Sequence, residues 1–280
     1  MSGAVLVFGA TGNTGSAVVE ALRRFPGRPV RTATRNPAAP TGHDHRRFDW
    51  ADPATWDDVL DGVERMYLVA PIGHPAPMTV VAPFLDRAVE AGVRRVVTLS
   101  SSAVALGDPG LGEMAAAVRD MFPEWEILRP SWFMQNFTGA HPVAESIRGT
   151  GEFMTATGTG RLPFIDARDI GRTAAHLLSA TDARCGEHLL TGPEALTYDE
   201  AAAIMAEVTG RTVRHRAVEP DDFADYLVAS GYDTTFAAVL AALDVLVRDG
   251  TQSAVSDTVE RITGARPRGF ADYLRAAWSE

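Results

Sequence analysis

The chain has 280 residues, of which 46% are apolar and 22% are charged, so it is long enough for one large domain or two coupled ones. Its 26 basic and 36 acidic residues give a net charge of −10, the wrong sign for a protein that binds nucleic acid by neutralising phosphates. All of the basic residues are arginines, and the chain contains no lysine. The one cysteine, Cys185, excludes an intramolecular disulfide.

The sequence carries no membrane, secretory or metal signal. No apolar run approaches the roughly 18 residues of a membrane span, and the first apolar segment ends at Gly9, too early for a secretory signal. The stretch His43-Asp44-His45 has metal-ligand residue types but no third ligand at a useful spacing, so we predict no metal. We therefore expect a soluble, cytoplasmic protein without a nucleic-acid or membrane partner. The oligomeric state stays open, with a homodimer as one option.

The first half of the chain predicts an α/β fold. Apolar runs of strand length alternate with helical patterns as far as residue 130, which predicts a doubly wound parallel sheet of the Rossmann type. Asp52 followed by Pro53 marks the start of one helix, and residues 78–91 form another that ends at Gly92. The predicted strands cover residues 4–8, 30–34, 46–48, 65–69, 94–99 and 126–128.

After residue 130 the strict alternation stops and helical patterns dominate. Residues 197–200 form a TxxE capping box, which predicts a helix to about residue 208 that ends at Gly210. Further helices are predicted over residues 233–248 and 270–278. Residues 161–165 and 187–190 have the pattern of short strands that rejoin the sheet, and Asp166 is placed to cap a helix through Leu178.

A glycine-rich turn follows the first strand and precedes a helix. In this order of elements the helix N-terminus presents unpaired N–H groups to a pyrophosphate. Gly9 permits the turn, Gly12 allows close approach of phosphates, and Gly15 allows the helix to lie near the strand. The alternative is that the glycines only turn the chain. The predicted cofactor contacts in this loop are Gly9, Thr11, Gly12, Asn13, Thr14 and Gly15.

The residue after the second strand distinguishes the two nicotinamide dinucleotides. An acidic residue there would accept a hydrogen bond from the ribose 2′-hydroxyl of NAD, but the chain has Arg35. A guanidinium fits a 2′-phosphate, so the sequence predicts NADP(H), with Thr34 or Asn36 as helpers. The alternative is a solvated arginine. Asp49 and Trp50 follow the third strand, where adenine would lie, although Trp50 suits a core position equally well.

These motifs, together with LRPSWFMQNF at residues 128–137, resemble the NmrA-like family of atypical short-chain dehydrogenase/reductases over essentially the whole chain. Within it, the chain is similar to ergot-alkaloid iminium reductases and NAD(P)H quinone reductases. The resemblance implies a Rossmann domain over residues 1–130, with returning segments at about 161–190, and a smaller, mostly helical substrate-binding part over 131–160 and 191–280. It also implies that the nicotinamide lies near Ala70, Pro71, Ile72 and Ser100.

The usual proton donor of this superfamily is missing. Ordinary members use a tyrosine and a lysine four residues later, whereas residues 107–119 contain no tyrosine and the chain has no lysine. Arginine stays charged and cannot take over proton transfer. Glu113 lies in that region, either as an ion-pair partner for an amine or on a solvated helix face. The absence favours acceptors that need little acid catalysis, namely an iminium, a quinone or an enone.

Few polar residues qualify as catalytic groups. Ser101 could hydrogen-bond the nicotinamide or a substrate oxygen, or cap a turn. His141 could donate a proton near neutral pH, although a lone histidine is more often structural. Asp166 fits a helix cap better than an acid, and residues 71–77 form a loop that could act as a lid. The predicted substrate contacts, for which core packing is the alternative, are Ile72, Trp132, Phe133, Asn136, Phe137 and Phe164.

The sequence as a whole predicts an NADPH-dependent reductase of a small hydrophobic cyclic substrate. Two alternatives stay open. NmrA-like proteins include regulators that bind NADP(H) and sense its redox state without turnover, and a pathway enzyme could retain the cofactor pocket while catalysing a non-redox step. The missing proton donor is compatible with the reductase and with the regulator.

Overall fold

The computed structural model describes residues 3–35, 44–71, 74 and 76–278. Its strands are β1 (Ala4–Phe8), β2 (Val30–Thr34), β3 (Asp44–Arg47), β4 (Val63–Leu68), β5 (Arg95–Leu99), β6 (Glu124–Pro130), β7 (Glu152–Thr155), β8 (Gly186–Leu190) and β9 (Arg214–Ala217). Its helices are α1 (Asn13–Leu22), α2 (Trp56–Leu60), α3 (Met78–Glu90), α4 (Leu111–Met121), α5 (Pro142–Thr150), α6 (Ala167–Ser179), α7 (Tyr198–Thr209), α8 (Pro220–Ala229), α9 (Thr234–Arg248), α10 (Thr258–Thr263) and α11 (Phe270–Trp278).

The chain divides into two compact units. Unit 1 comprises Met1–Pro130, Ala167–Leu190 and Thr258–Ala265, and unit 2 comprises Ser131–Asp166, Thr191–Asp257 and Arg266–Glu280. Two segments differ from the sequence-based division. Residues 161–166 fall in unit 2, and residues 258–265 return to unit 1 as a segment around α10.

Unit 1 is built on a seven-stranded sheet in the order β3-β2-β1-β4-β5-β6-β8. Every neighbouring pair is parallel, which confirms the Rossmann-type doubly wound fold. Side chains from α2, α3 and α4 form one hydrophobic core with alternate residues of β1, β4 and β5, such as Leu6 and Met66. Because strand side chains alternate between faces, Val7 and Tyr67 point to the opposite face, where α1 and α6 lie.

Two buried arginines fix the end of α6 in unit 1. Arg95 is fully buried; its Nε donates to Glu124 at 2.7 Å and its Nη1 donates to the carbonyls of Leu177 and Ala180. Arg65 on the neighbouring strand also donates to the Ala180 carbonyl, at 2.8 Å, and burial lowers its pKa to about 10. Carbonyls at a helix C-terminus lack partners within the helix, so these guanidinium groups cap α6.

Unit 2 has a small sheet and a core rich in aromatic residues. β7 and β9 pair in parallel, and the predicted capping box of α7 is confirmed, because Thr197 accepts from the N–H of Glu200 while the Glu200 carboxylate accepts from the N–H of Thr197. α7 ends at Gly210, which has a φ of 67°, as predicted. The core packs rings from several elements; its aromatic members are Phe137, Phe153, Phe164, Tyr198, Phe270 and Tyr273.

One sequence prediction in unit 2 was wrong, and two strands were missed. Residues 161–165 form no strand of the large sheet; Leu162 instead makes an isolated antiparallel bridge to Leu196, and Ile165 makes a parallel one to Phe133. Pro163 between them has no N–H to donate to a sheet ladder. The sequence also gave no sign of β7 and β9, whose residues EFMT and RHRA include charged residues and no apolar run.

Candidate active site

The carboxyl ends of the parallel strands lie at one edge of the sheet in unit 1. The segments after β1, β2, β4 and β5 carry the predicted cofactor residues, so the fold places Gly9, Arg35, Ala70 and Ser100 along that edge. Ligands of doubly wound sheets bind at this edge, where the strand order reverses. In unit 1 the reversal lies between β1 and β4, which are neighbours although β2 and β3 follow β1 in the chain.

The glycine loop is closed tightly against β1. Gly9 has a φ of +61°, and the N–H of Gly12 donates to its carbonyl at 2.8 Å. A Cβ at Gly15 would lie 2.1 Å from the Gly9 oxygen, and one at Gly12 would lie 3.3 Å from it. The glycines therefore permit a close approach of ligand and backbone atoms that side chains would block. Such a loop fits the pyrophosphate of a dinucleotide.

The first turn of α1 has the character of an anion site. No side chain caps its N-terminus at Gly12, and no acidic residue lies in the first turn. The N–H groups of Asn13 and Thr14 are therefore available to a bound phosphate, as are those of a helix N-terminus in general. Thr11 lies between the turn and the helix and is exposed.

Arg35 follows β2 directly and is exposed. Within the described ranges, no residue forms a hydrogen bond or an ion pair with its guanidinium group. Thr34 is engaged by His45 of the neighbouring strand at 3.5 Å, and Asn36 lies outside the described residues. Arg35 is thus a cation with its donors available at the position that contacts the ribose in this fold.

Asp49 and Trp50 build the turn after β3. One carboxylate oxygen of Asp49 accepts the N–H of Ala51 at 3.0 Å, and its carbonyl accepts the indole N–H of Trp56 at 3.1 Å. Trp50 packs against Phe48 with ring centroids 4.8 Å apart, so it extends the core of unit 1. The core interpretation of Trp50 is therefore the one that its contacts support.

The segments after β4 and β5 offer hydroxyl and backbone groups. Ala70 and Pro71 are half-buried, whereas Ile72 and residues 73 and 75 of the predicted lid lie outside the described residues. The Ser100 N–H donates to the Leu128 carbonyl at 2.8 Å. The Ser101 hydroxyl accepts the N–H of Ala103 at 3.2 Å, as in a turn cap, which leaves its own proton free to donate.

Neither Tyr67 nor Glu113 of unit 1 is placed to act as an acid. Tyr67 is its one tyrosine, and it is fully buried, which raises the pKa of the phenol and removes it from contact with a substrate. The Glu113 carboxylate accepts the N–H of Gly110 at 3.1 Å and lies on an exposed face, so the solvated-helix interpretation holds for it.

His141 of unit 2, predicted as a candidate proton donor, has the structural role that the sequence analysis gave as the alternative. Its Nδ1 accepts the N–H of Val143 at 3.2 Å, so the ring is the N-cap of α5. Burial lowers the pKa of His141 to about 4, so the imidazole is neutral near pH 7. A neutral ring lacks the extra proton that the sequence-based role as an acid required.

The predicted substrate residues separate into two groups. Phe137 and Phe164 are each 1% exposed and lie in the aromatic core of unit 2, with ring centroids 5.1 Å apart. They are core residues and, in this conformation, not available to a ligand. Trp132, Phe133 and Asn136 are half-buried and stay available.

Asp166 is buried in a polar network within unit 2. Its carboxylate accepts from Gln135 Nε2 at 2.8 Å and pairs with Arg268 at 3.1 Å. α6 begins at the next residue, the place of a helix cap. Two partners already bind this carboxylate, which argues against a role as an acid.

Sequence reasoning missed one close contact beside the cofactor loop. A Cβ at Gly171 of α6 would lie 2.6 Å from the Cβ of Ala17 of α1, so this glycine lets the two helices touch. A glycine within a predicted helix was the available signal.

Two negative findings apply to the described part of the chain. None of its helices has the length and apolar character needed to cross a membrane. No group of three or more His, Cys, Asp or Glu residues in that part is arranged to hold a metal ion, and His43 lies outside it.

Comparison with known proteins agrees with this architecture. Uncharacterized oxidoreductase YesF of Bacillus subtilis (strain 168) is 39% identical over 97% of this chain and 94% of its own length. Agroclavine dehydrogenase of Claviceps purpurea is 34% identical over 98% of each chain. The crystal structure of the NADPH-dependent quinone oxidoreductase QOR2 of Escherichia coli, complexed with NADPH, superposes with a TM-score of 0.83 at 24% identity, over 98% of this chain and 99% of that one.

Family comparisons match both halves of the chain. Residues 9–178 match a family described as NAD(P)H-binding, and residues 119–274 match the NmrA-like family. The NAD(P)H-binding match includes the loop of Gly9 and the segments after β2, β4 and β5. The chain is therefore an oxidoreductase of the NmrA-like family with an NAD(P)H-binding Rossmann fold.

Proposed function

We propose that this protein is an NADPH-dependent reductase that delivers hydride to a hydrophobic, electron-poor cyclic acceptor such as an iminium ion, a quinone or an enone. The observation that carries the proposal is Arg35, an exposed guanidinium without a partner among the described residues, directly after β2. Glycine-loop closure supports binding of the pyrophosphate, and Arg35 supports the choice of NADPH over NADH.

In this proposal unit 1 binds the cofactor. Bound NADPH supplies the hydride. The first turn of α1 and the glycine loop hold the pyrophosphate, and Arg35 binds the 2′-phosphate. The residues nearest the nicotinamide are Ala70, Pro71 and Ser100. Trp132, Phe133 and Asn136 remain the predicted substrate residues, because half-buried aromatic and amide groups suit a flat, apolar acceptor.

The nature of the acceptor follows from the missing acid. Reduction of a simple ketone leaves an alkoxide that needs a proton, and a positioned acid is worth about 10²- to 10⁴-fold in rate. An iminium carbon already carries the charge that hydride cancels. A quinone or enone gives an anion that the Ser101 hydroxyl, whose proton is not committed to the turn, stabilises by donating a hydrogen bond.

The test is a substrate panel read by loss of NADPH absorbance. The active group consists of cyclic imines at a pH where they are protonated, naphthoquinones and cyclic enones. The control is cyclohexanone, a simple ketone whose ring size matches that of the cyclic enone. We expect turnover with members of the active group and at least about 100-fold slower turnover with the ketone, the lower end of the contribution of a positioned acid. Equal rates with the ketone would show that an acid is present.

The same panel separates the reductase from a cofactor-sensing regulator. That neither Tyr67 nor Glu113 is placed to act as an acid also suits a protein that binds NADP(H) without turnover. A regulator would oxidise NADPH with no panel member, yet would bind NADPH and NADP⁺ in a titration. Activity that persists after all nicotinamide has been removed would instead indicate a non-redox step.

A further inference from the structure

Tyr67 lies beneath the cofactor loop in the middle of the sheet of unit 1. It belongs to β4 and pairs in register with Val7 of β1 and Val97 of β5. Its side chain is 0% exposed and points to the face that α1 covers. The phenol is fully buried, and burial raises its pKa.

The hydroxyl of Tyr67 lacks a hydrogen-bond partner at good geometry in the described part of the chain. Buried polar groups are nearly always paired, because an unpaired one costs about 1–3 kcal/mol. Phenylalanine would fill the same space without that cost. The oxygen therefore calls for an explanation outside the packing of the sheet.

The neighbouring hydroxyl belongs to Thr14, the second residue of α1. A hydrogen-bond contact with the Thr14 hydroxyl lowers the pKa of Tyr67 against the effect of burial, although its geometry falls short of a regular hydrogen bond. Thr14 is itself buried and lies in the helix turn that faces a bound pyrophosphate. Gly15, its neighbour, fixes this turn against β1 through the approach to Gly9.

We propose that Tyr67 is a positioning residue for the dinucleotide, whose phenol donates a hydrogen bond to the Thr14 hydroxyl so that Thr14 in turn donates to the pyrophosphate. A hydroxyl that accepts one hydrogen bond becomes a better donor, since hydrogen bonds in a chain polarise one another. The unpaired oxygen is then retained because it strengthens cofactor binding. This inference depends on dinucleotide binding at the loop, and it is independent of which acceptor is reduced.

The test compares cofactor affinity with the stability of the unligated protein. In Tyr67→Phe only one oxygen is lost, so the unligated melting temperature should be unchanged or higher. The dissociation constant for NADPH, measured by fluorescence titration, should rise about threefold to tenfold, as for one lost hydrogen bond. If the Tyr67 oxygen had a purely structural role, its loss would not weaken NADPH binding while leaving the melting temperature unchanged or raising it.

Thr14 provides the matched variants. Thr14→Val should weaken NADPH binding to a similar extent, Thr14→Ser should restore it, and the double variant Tyr67→Phe/Thr14→Val should be no weaker than the weaker single variant. Tyr198→Phe, which alters a buried tyrosine of unit 2, is the control and should leave the dissociation constant unchanged. An unchanged constant in Tyr67→Phe overturns the proposal, and so do additive losses in the double variant.

Discussion

The carboxylate of Asp244 and the guanidinium of Arg248, one turn apart on α9, bind the two backbone groups of a single residue. Asp244 Oδ2 accepts the N–H of Ala156 at 2.8 Å, and Arg248 Nε donates to the Ala156 carbonyl at 2.8 Å. The segment after β7 is thereby fastened to α9 within unit 2. Asp244 is the one acidic residue of α9, and it is buried.

Asp244→Asn should change the pH dependence of stability. Burial raises the pKa of Asp244 from 3.8 to about 7. Because the folded pKa exceeds the unfolded one, the stabilising contribution of the protonated group is complete below pH 3.8 and is lost as the pH rises to about 7. The loss is at most about 1.4 kcal/mol per pH unit. Asparagine keeps an acceptor for Ala156 and does not titrate.

The measurement is the melting temperature of both proteins across that pH range. We expect the melting temperature of Asp244→Asn to rise relative to that of the native protein as the pH rises towards 7. The gap between the two melting temperatures should level off above that pH. Asp222→Asn, at an exposed position on α8, is the control, and its gap should stay flat. A gap for Asp244→Asn that is constant, or that shrinks with rising pH, would show that the carboxyl titrates as in water.

Local patterns predicted unit 1 well, because its signals are contiguous in the chain. The bounds of β1 and β2, the glycine loop and the stop at Gly92 each depend on a few adjacent residues, as does the stop at Gly210 in unit 2. The position of Arg35 at the strand edge followed from the same local order. A parallel sheet then fixes which strand ends share an edge.

Non-local contacts account for most of what the sequence did not predict. Leu162 finds its partner at Leu196, and β7 finds β9 some 60 residues later, pairings that no local pattern encodes. Trp132 and Phe137 come from one aromatic stretch, but the 3₁₀ turn over Met134–Phe137 buries the second and leaves the first half-buried. The unpaired hydroxyl of Tyr67 depends wholly on tertiary packing.

Arg35→Asp should reverse or reduce the preference for NADPH. The variant replaces the group that pairs with a 2′-phosphate by one that repels it and that accepts from a 2′-hydroxyl. We expect the ratio of kcat/KM for NADPH to that for NADH to fall about tenfold or more, which corresponds to about 1.4 kcal/mol.

Arg24→Asp makes the same charge change at an exposed position just after α1. It controls for the overall field of the protein and should leave the cofactor ratio unchanged. If both variants lowered the ratio equally, Arg35 would be one of many solvated arginines and the NADPH assignment would lose its support.

Gly15→Ala should damage the cofactor loop. The added Cβ would lie 2.1 Å from the Gly9 carbonyl oxygen, a distance that backbone atoms cannot accommodate without movement of α1. Overpacking of this kind costs about 1–3 kcal/mol of stability. We expect NADPH affinity to fall at least about tenfold as the helix N-terminus leaves the phosphate, a cost of about 1.4 kcal/mol. Gly27→Ala, whose Cβ meets nothing within 4 Å, should affect neither quantity.

His141→Asn distinguishes a helix cap from an acid. Because His141 is the N-cap of α5 and burial lowers its pKa to about 4, asparagine, a good N-cap residue, should preserve the melting temperature and kcat. His141→Ala should cost about 0.5–2 kcal/mol of stability, again with little change in kcat. A positioned acid would instead be worth about 10²- to 10⁴-fold, so a loss of that size in a stable, folded His141→Asn variant would return His141 to the catalytic machinery. The rates are compared at saturating substrate concentration, so that they report kcat. A displaced α5 could change substrate binding without changing the rate of hydride transfer.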